Sequence, residues 1–192
     1  MMKDTQEVYR NEAFIADAMD KWGSSVFKLA FAQTTSKADA EDVFQEVFLR
    51  LLKNKSSFNG EEHLKAWLLR VTLNCCHDLA RSAWKRRVVG VDAVEEPAYE
   101  ESAISREAMR DLAQALDTLP DDMRAVVHLY YYEGYSTEEI AKITDVEAST
   151  IRSRLQRARG RLKSWLGGVG YGTYECVYEQ DGSGGNTYLF EG

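Results

Sequence analysis

"LPDDMRAVVHLYYYEGYSTEEIAKITDVEASTIRSRLQRARGRLKSWL" occupies residues 119–166, and its second half decides how the chain is read. Ile151, Leu155, Ala158, Leu162 and the Trp165/Leu166 pair recur at the spacing of one apolar helical stripe. The other side carries Arg152, Arg154, Arg157, Arg159, Arg161 and Lys163, with no acid between 152 and 163. At about 100° per residue, Ser149, Ser153, Gln156, Arg157 and Gly160 project farthest from the stripe. Arg152 and Lys163 flank them on one side and Thr150 on the other. Such a face offers hydrogen-bonding groups to base edges and cations to phosphates. The alternative, a solvated basic face of an ordinary bundle, fits an acid-free run of cations less well.

Upstream, Ser136-Thr-Glu-Glu139 is a capping box that starts a short helix carrying Ile140, Ala141 and Ile143. Thr144-Asp-Val-Glu147 breaks that helix before the basic one begins. A short helix, a tight turn and a long basic helix form the helix-turn-helix pattern. Leu119-Pro120 opens the helix before it, with proline suited to a first turn. Tyr130, Tyr131 and Tyr132 read as packing residues rather than a stacking platform.

Residues 119–166 resemble region 4 of sigma factors, the subunits that bring bacterial RNA polymerase to promoters. The resemblance rests on "LP…R.V..L.YYEGYS..EIA" followed by "STIRSRLQRAR..L". It implies that Ser149, Thr150, Arg152, Ser153, Gln156 and Arg157 read a −35 element.

Composition permits this reading. A chain of 192 residues with 44% hydrophobic content holds one large or two small domains, and only two prolines suit a helical protein. The net charge of −7 opposes DNA binding, but the charge is segregated. Cations cluster at Arg81–Arg87 and Arg152–Lys163; acids cluster at Asp92–Glu101 and in the tail. The chain should therefore bind free DNA poorly until a partner holds it there. The N-terminus has no apolar leader and no run approaches a membrane span, which points to a cytoplasmic protein. Three cysteines form neither a disulfide framework nor a metal-ligand spacing.

Residues 5–34 read as two helices broken near Gly23, with Phe14 and Ala18 before the break and Val26, Leu29 and Ala30 after it. Residues 39–53, "DAEDVFQEVFLRLLK", place Val43, Phe44, Val47, Phe48, Leu51 and Leu52 on a broad apolar stripe. Opposite stand Asp39, Asp42, Gln45, Glu46 and Arg50, with Leu49 among them. Periodicity leaves two readings of Leu49: an ordinary exposed leucine, or the apolar centre of a polar-rimmed interface. The run resembles sigma region 2.2, which grips a coiled coil of the polymerase β′ subunit. That implies a docking face made of Asp39, Asp42, Gln45, Glu46 and Leu49.

Phe58-Asn-Gly-Glu-Glu-His-Leu64 leads into a helix of about 64–87 whose core stripe is Leu64, Leu68, Val71, Cys75 and Leu79. Cys75 is a small buried hydrophobe on this reading. Cys75, Cys76 and His77 point in different directions and cannot converge on one metal ion. Arg70, Asn74, His77 and Arg81 form a second ridge, with Trp84, Lys85, Arg86 and Arg87 at its end. This ridge is either a solvated basic face or a groove for a single strand, cations on phosphates and the indole on a base. "FNGEEHLKAWLLRVTLNCCHDLARSAWKRR" resembles sigma regions 2.3 and 2.4, which open the −10 element. The resemblance implies that Phe58 begins a pocket for a flipped base and that Asn74 lies against the same strand. It assigns Phe58, Arg70, Asn74, His77, Arg81, Trp84 and Lys85 to the −10 interface. A preformed pocket can offset the few kcal/mol of unstacking that flipping costs.

Residues 88–105 lack helical periodicity, and seven acids lie between Asp92 and Asp111. They read as an acidic linker. From Glu107 to Thr118 a further helix would turn Met109, Leu112, Ala113 and Leu116 to the core. The tail, 167–192, alternates Tyr174, Cys176 and Tyr178 with Glu175 and Glu179. A Gly-rich turn at 181–186 then precedes Thr187-Tyr-Leu-Phe190, which would make a β-hairpin. The tail departs from the family pattern and reads equally as a regulatory hairpin or an unstructured end.

The expectation is an all-α chain of two small domains: 1–88, a linker 89–106, a helix-turn-helix domain 107–166, and the tail 167–192. The resemblance implies an extracytoplasmic-function (ECF) sigma factor, a monomer when free and held in check by an anti-sigma factor. Its partners would be core RNA polymerase, through the β′ coiled coil and the β flap, and promoter DNA. The competing reading is a stand-alone helix-turn-helix regulator whose N-terminal half senses a signal or dimerises. An enzyme is disfavoured: there is no HExxH, GxSxG or phosphate loop, and no metal or cofactor is called for.

Overall fold

The computed structural model describes residues 11–34, 36–87 and 111–168. The acidic linker and the tail lie outside these residues, save Gly167 and Gly168, which end the last helix rather than begin the tail.

Seven helices make up the described residues, and five of them begin where the sequence supplies a cap or acids. In α1 (Glu12–Thr34), the Asn11 side chain accepts from the Ala13 amide at 2.9 Å. In α2 (Lys37–Lys53), Ser36 accepts from Asp39 N at 3.3 Å. Glu61 and Glu62 stand in the first turn of α3 (Glu61–Arg87), complementing its dipole. Residues 111–117 form α4, followed by α5 (Asp121–Tyr131), with Pro120 just outside α5 as its N-cap. The capping box is formed in α6 (Thr137–Thr144): Ser136 accepts from Glu139 N at 3.3 Å, and Glu139 accepts from Ser136 N at 2.9 Å. Asp145 ends α6 in the left-handed region (φ 57°), and α7 (Ala148–Gly168) follows. None of these helices is long and apolar enough to cross a membrane.

The expected break at Gly23 does not exist. Gly23 lies buried within a continuous α1, in van der Waals reach of the Phe44 ring. A glycine costs a helix interior about 1 kcal/mol, which packing against α2 outweighs. The predicted core positions of α2 and α3 are otherwise buried or half-buried, and Phe27, Phe44 and Phe48 form an aromatic seam between α1 and α2. In α4 the inward residue is Ala115, wholly buried, whereas Ala113 is exposed; Leu116 packs as expected and Met109 lies outside the described residues. Helix α4 is short and sits against α5 through residues 115, 116 and 119, which shifts its buried side from the one expected.

A second core joins Leu119, Met123, Val126 and Leu129 with Ile140, Ile143, Ile151, Leu155 and Ala158. It does not stop at the boundary of the second half. Leu29 of α1 and Leu69 and Leu73 of α3 belong to the same cluster. Helix α3 is therefore buried on two sides, one facing α1 and α2 and the other facing α6 and the second core.

Polar groups complete this contact. The side chain of Glu133, 6% exposed, meets Lys65 Nζ at 3.0 Å and accepts from Ser25 Oγ at 3.1 Å. His128 Nε2 lies 3.7 Å from its other oxygen. Burial pushes the Glu133 carboxyl up, but His128, Lys65 and Ser25 pull it further down, to about 2. A carboxylate held below its unfolded value adds stability that is complete above pH 4.5 and lost as pH falls toward 2. Urea titrations should therefore show the advantage of the native chain over Glu133→Gln shrinking by roughly 3 kcal/mol across that window. A constant difference would mean the carboxylate is solvated rather than clamped.

Candidate nucleic-acid interface

Along α2 the large apolar residues turn inward except one. Val43, Val47, Phe48 and Leu51 are buried, while Leu49 remains 47% exposed. Asp42, Gln45 and Glu46 are exposed around it and Asp39 is half-buried in the capped first turn. The Arg50 guanidinium donates to Glu46 at 2.7 Å and stands 3.9 Å from Asp78 on α3, which orients the Glu46 carboxylate along the rim. The face is an apolar knob ringed by acids and an amide, suited to a basic or amphipathic partner helix.

The loop before α3 is held by short-range bonds. Asn54 Oδ1 accepts from Ser56 N at 2.8 Å, and Gly60 (φ 90°) makes the final turn. Phe58 is half-buried, with its ring edge-on to His63 (5.6 Å) and to Trp67 (5.5 Å). Asn59 N donates to His63 Nδ1 at 3.0 Å. This aromatic corner can hold a base. His63 and Trp67 belong to it and were missed in the sequence, although their i, i+4 spacing on the first turns of α3 was a signal.

Arg70, Asn74, His77 and Arg81 are all exposed, on one ridge of α3 as expected. Arg81 pairs loosely with Asp78 (3.8 Å), and Arg70 with Asp145 of the second half (3.5 Å). Trp84 and Lys85 lie on the last turns of α3, with their side chains outside the description. Cys75 and Cys76 are both buried; burial pushes the Cys76 thiol up to about 12, so it stays protonated. Among the described residues no cluster of His, Cys, Asp and Glu could hold a metal ion.

On α7, Ser149, Arg152, Ser153, Gln156 and Arg157 are exposed and Thr150 is half-buried. Ser153 Oγ donates to Ser149 O (2.9 Å) and Arg157 Nε to Ser153 O (3.2 Å), folding both side chains along the helix. Arg152 donates to Glu138 of α6 at 3.0 Å. The six cations do not act as one set. Arg154 pairs with Asp122 at 2.9 Å, while Arg159 donates to the Tyr131 hydroxyl at 2.9 Å and lies over the Tyr130 and Tyr131 rings. Both project only about 70° from the apolar stripe, near enough to tie α7 to α5. Arg152, Arg157, Arg161 and Lys163 remain on the outer face. Tyr130 and Tyr131 pack as expected; Tyr132 does not, being 58% exposed and stacked on His128 at 5.1 Å. It follows the last turn of α5, where the helix no longer faces the core.

Comparison with known proteins matches both halves of the chain. A family profile described as Sigma-70 region 2 matches residues 19–86, and one described as Sigma-70, region 4 matches residues 109–162. The ECF RNA polymerase sigma factor SigE of Mycolicibacterium smegmatis is 34% identical over 147 residues, 73% of this chain and 57% of that protein. The ECF RNA polymerase sigma-E factor of Haemophilus influenzae is 31% identical over 143 residues, 67% of this chain and 75% of the relative. Among solved structures, the sigma factor RpoE in complex with the anti-sigma factor NepR from Bartonella quintana shares the fold. Its TM-score is 0.63 at 23% identity, covering 82% of this chain and 98% of that one. CnrH in complex with the cytosolic domain of CnrY gives 0.61 at 21% identity, over 82% and 90%.

Proposed function

Since this chain belongs to the sigma-70 family of RNA polymerase sigma factors, we propose that it binds core polymerase, brings it to specific promoters and helps melt the −10 element. The observation that carries this reading is Leu49, left exposed at the centre of an acidic rim on a helix whose other large apolar groups are buried or half-buried. A stand-alone regulator needs no such face. In the proposed division, residues 1–88 dock on polymerase through Asp39, Asp42, Gln45, Glu46 and Leu49. The same half holds the −10 strand with Phe58, Arg70, Asn74, His77, Arg81, Trp84 and Lys85, to which His63 and Trp67 are added. Residues 89–106 link it to residues 107–166, which read the −35 element through α7.

Melting in this scheme is binding rather than catalysis. The preformed aromatic corner at Phe58 receives a base that has left the stack, and the cations of α3 hold its strand. Sigma factors act as initiation subunits without an active site of their own. The protein would work in the cytoplasm as a monomer, restrained by an anti-sigma factor, as the similar sigma factor RpoE is seen bound to the anti-sigma factor NepR.

The test is titration of the labelled protein into bacterial core RNA polymerase, read by anisotropy. Saturable one-to-one binding supports the proposal. No binding at micromolar concentration, beside tight binding to DNA alone, overturns it in favour of a free regulator. Arg157→Ala should cost about 1–3 kcal/mol on a cognate −35 sequence and less on a scrambled one. An equal loss on both would reduce Arg157 to a phosphate contact.

A further inference from the structure

Of the residues assigned to the −35 element, Arg152 is held differently from its neighbours. Ser153 Oγ and Arg157 Nε bond back to carbonyls of α7 itself. Arg152 instead reaches across the turn, and its Nη1 donates to Glu138 Oε1 of α6 at 3.0 Å. The other carboxylate oxygen is engaged too: Thr137 Oγ1 donates to Glu138 Oε2 at 2.9 Å. With both oxygens bonded, the plane of the carboxylate is set, and the guanidinium takes its orientation from it. Among the described residues Arg152 has no other hydrogen bond or ion pair, so Nε and Nη2 are left for a ligand. The Thr137 hydroxyl, the Glu138 amide and Arg152 hold the Glu138 carboxyl below its usual range, which keeps it ionised at neutral pH.

An anion at this place works against affinity. The first helix of a helix-turn-helix crosses the phosphate backbone, and Glu138 stands exposed in the first turn of α6. It repels phosphates, and it cancels much of the positive charge that Arg152 would bring to them. A directional contact with a base edge is weakened far less. Guanine offers two acceptors, N7 and O6, matched to two parallel N–H groups of a guanidinium. Holding the fork in advance also removes part of the side-chain entropy that binding would otherwise cost. The pair thus gives up affinity for discrimination. Helix capping does not explain Glu138, because Ser136 and Glu139 already close the capping box of α6. The dipole of α6 would be met by any acid in its first turn, whereas the bond to Arg152 needs the length of a glutamate.

We infer that Glu138 is a positioning residue that sets specificity at the −35 interface: it presents the Arg152 fork to a base edge and withholds its charge from phosphates. The inference rests on the reading of α7 as the −35 helix, and it deepens that reading.

The test uses holoenzyme assembled from core RNA polymerase and the full chain. Selection from a promoter library with a randomised −35 hexamer first yields the preferred sequence. Anisotropy then gives the affinity for a labelled promoter fragment carrying that hexamer and for one carrying a scrambled hexamer. Glu138→Gln removes the charge. Glu138→Asp keeps the charge and the preference of the helix end, but stops a methylene short of Arg152. Each should cut the preference for selected over scrambled sequence by about three- to tenfold. Glu138→Gln should do so in part by binding the scrambled fragment more tightly. Arg152→Ala should lose more of the preference, and Glu138→Gln added to it should change the preference no further. Selection repeated with each variant should flatten the same hexamer position. The aspartate variant decides the matter if Glu138→Gln loses helicity by circular dichroism.

An unchanged preference in both Glu138 variants would overturn the inference. So would a loss that persists in the Arg152→Ala background, since Glu138 would then act by another route. Either outcome leaves the −35 reading standing. A native holoenzyme that selects no hexamer removes both.

Discussion

Leu49→Ala is expected to weaken binding to core RNA polymerase by about 30-fold, roughly 2 kcal/mol, while leaving the stability of the fold unchanged. The two halves of this expectation come from one observation. Leu49 is 47% exposed, so truncating it leaves no cavity, and surface substitutions of this kind stay within about 0.5 kcal/mol. In a complex, an apolar side chain at the centre of a polar rim is the residue that loses most of its water, which is where hot spots concentrate. The rim behaves otherwise. Asp42 and Gln45 stay near solvent, and changes there should act through association rate and salt dependence. Glu46→Ala also frees Arg50 from its 2.7 Å bond, so its effect will mix binding with local rearrangement. An affinity within twofold of the native value for Leu49→Ala would remove the α2 face from the docking site.

The parts of the fold legible in the sequence were those in which pattern and partner lie close together. The capping box at Ser136 and Glu139 spans four residues and forms as read. The stripes of α2 and α7 were legible because each helix has one buried side facing elements nearby in the chain. Leu69 and Leu73 were not, because they belong to the core of the second half, and a second buried stripe on α3 looks like an unusually apolar helix until that half is in place. Gly23 misled in the opposite direction: its local cost is real, but Phe44 packs against it from α2. Arg154 and Arg159 were grouped with the outer cations since composition carries no angle; their distance from the stripe, checked against Asp122 and Tyr131, separates them. The exposed site residues of α2, α3 and α7 stand where periodicity put them, whereas the buried charges could not be anticipated. Nothing in "YYEGYS" or "DDMRAVV" marks Glu133 or Arg124 as buried, since charges are almost never fully buried unless paired and their partners lie far off in the sequence.

Arg124→Met should be the most destabilising substitution in the second half, costing about 3–5 kcal/mol in urea unfolding. Arg124 is 8% exposed, and its guanidinium spends its donors on backbone carbonyls: Nε on Leu116 O at 3.2 Å, Nη1 on Ala32 O at 3.0 Å, and Nη2 on Leu119 O at 2.8 Å and Asp117 O at 3.3 Å. These oxygens belong to the C-terminal ends of α1 and α4 and to the turn after α4, where the last carbonyls of a helix have no partner of their own. A cation there also meets the negative ends of two helix dipoles. Asp121, 3.6 Å away and exposed, adds little. Methionine fills much of the volume but donates nothing, so several buried carbonyls are left bare at once, and each desolvated acceptor costs more than its hydrogen bond contributed. Lysine should recover only part of the loss, because a single ammonium cannot reach carbonyls spread around a planar fork. The midpoint should fall with little change in slope if the whole chain still unfolds together. A loss below about 1 kcal/mol for Arg124→Met would mean that water replaces the guanidinium at these helix ends, and that Arg124 is not the brace between α1, α4 and α5.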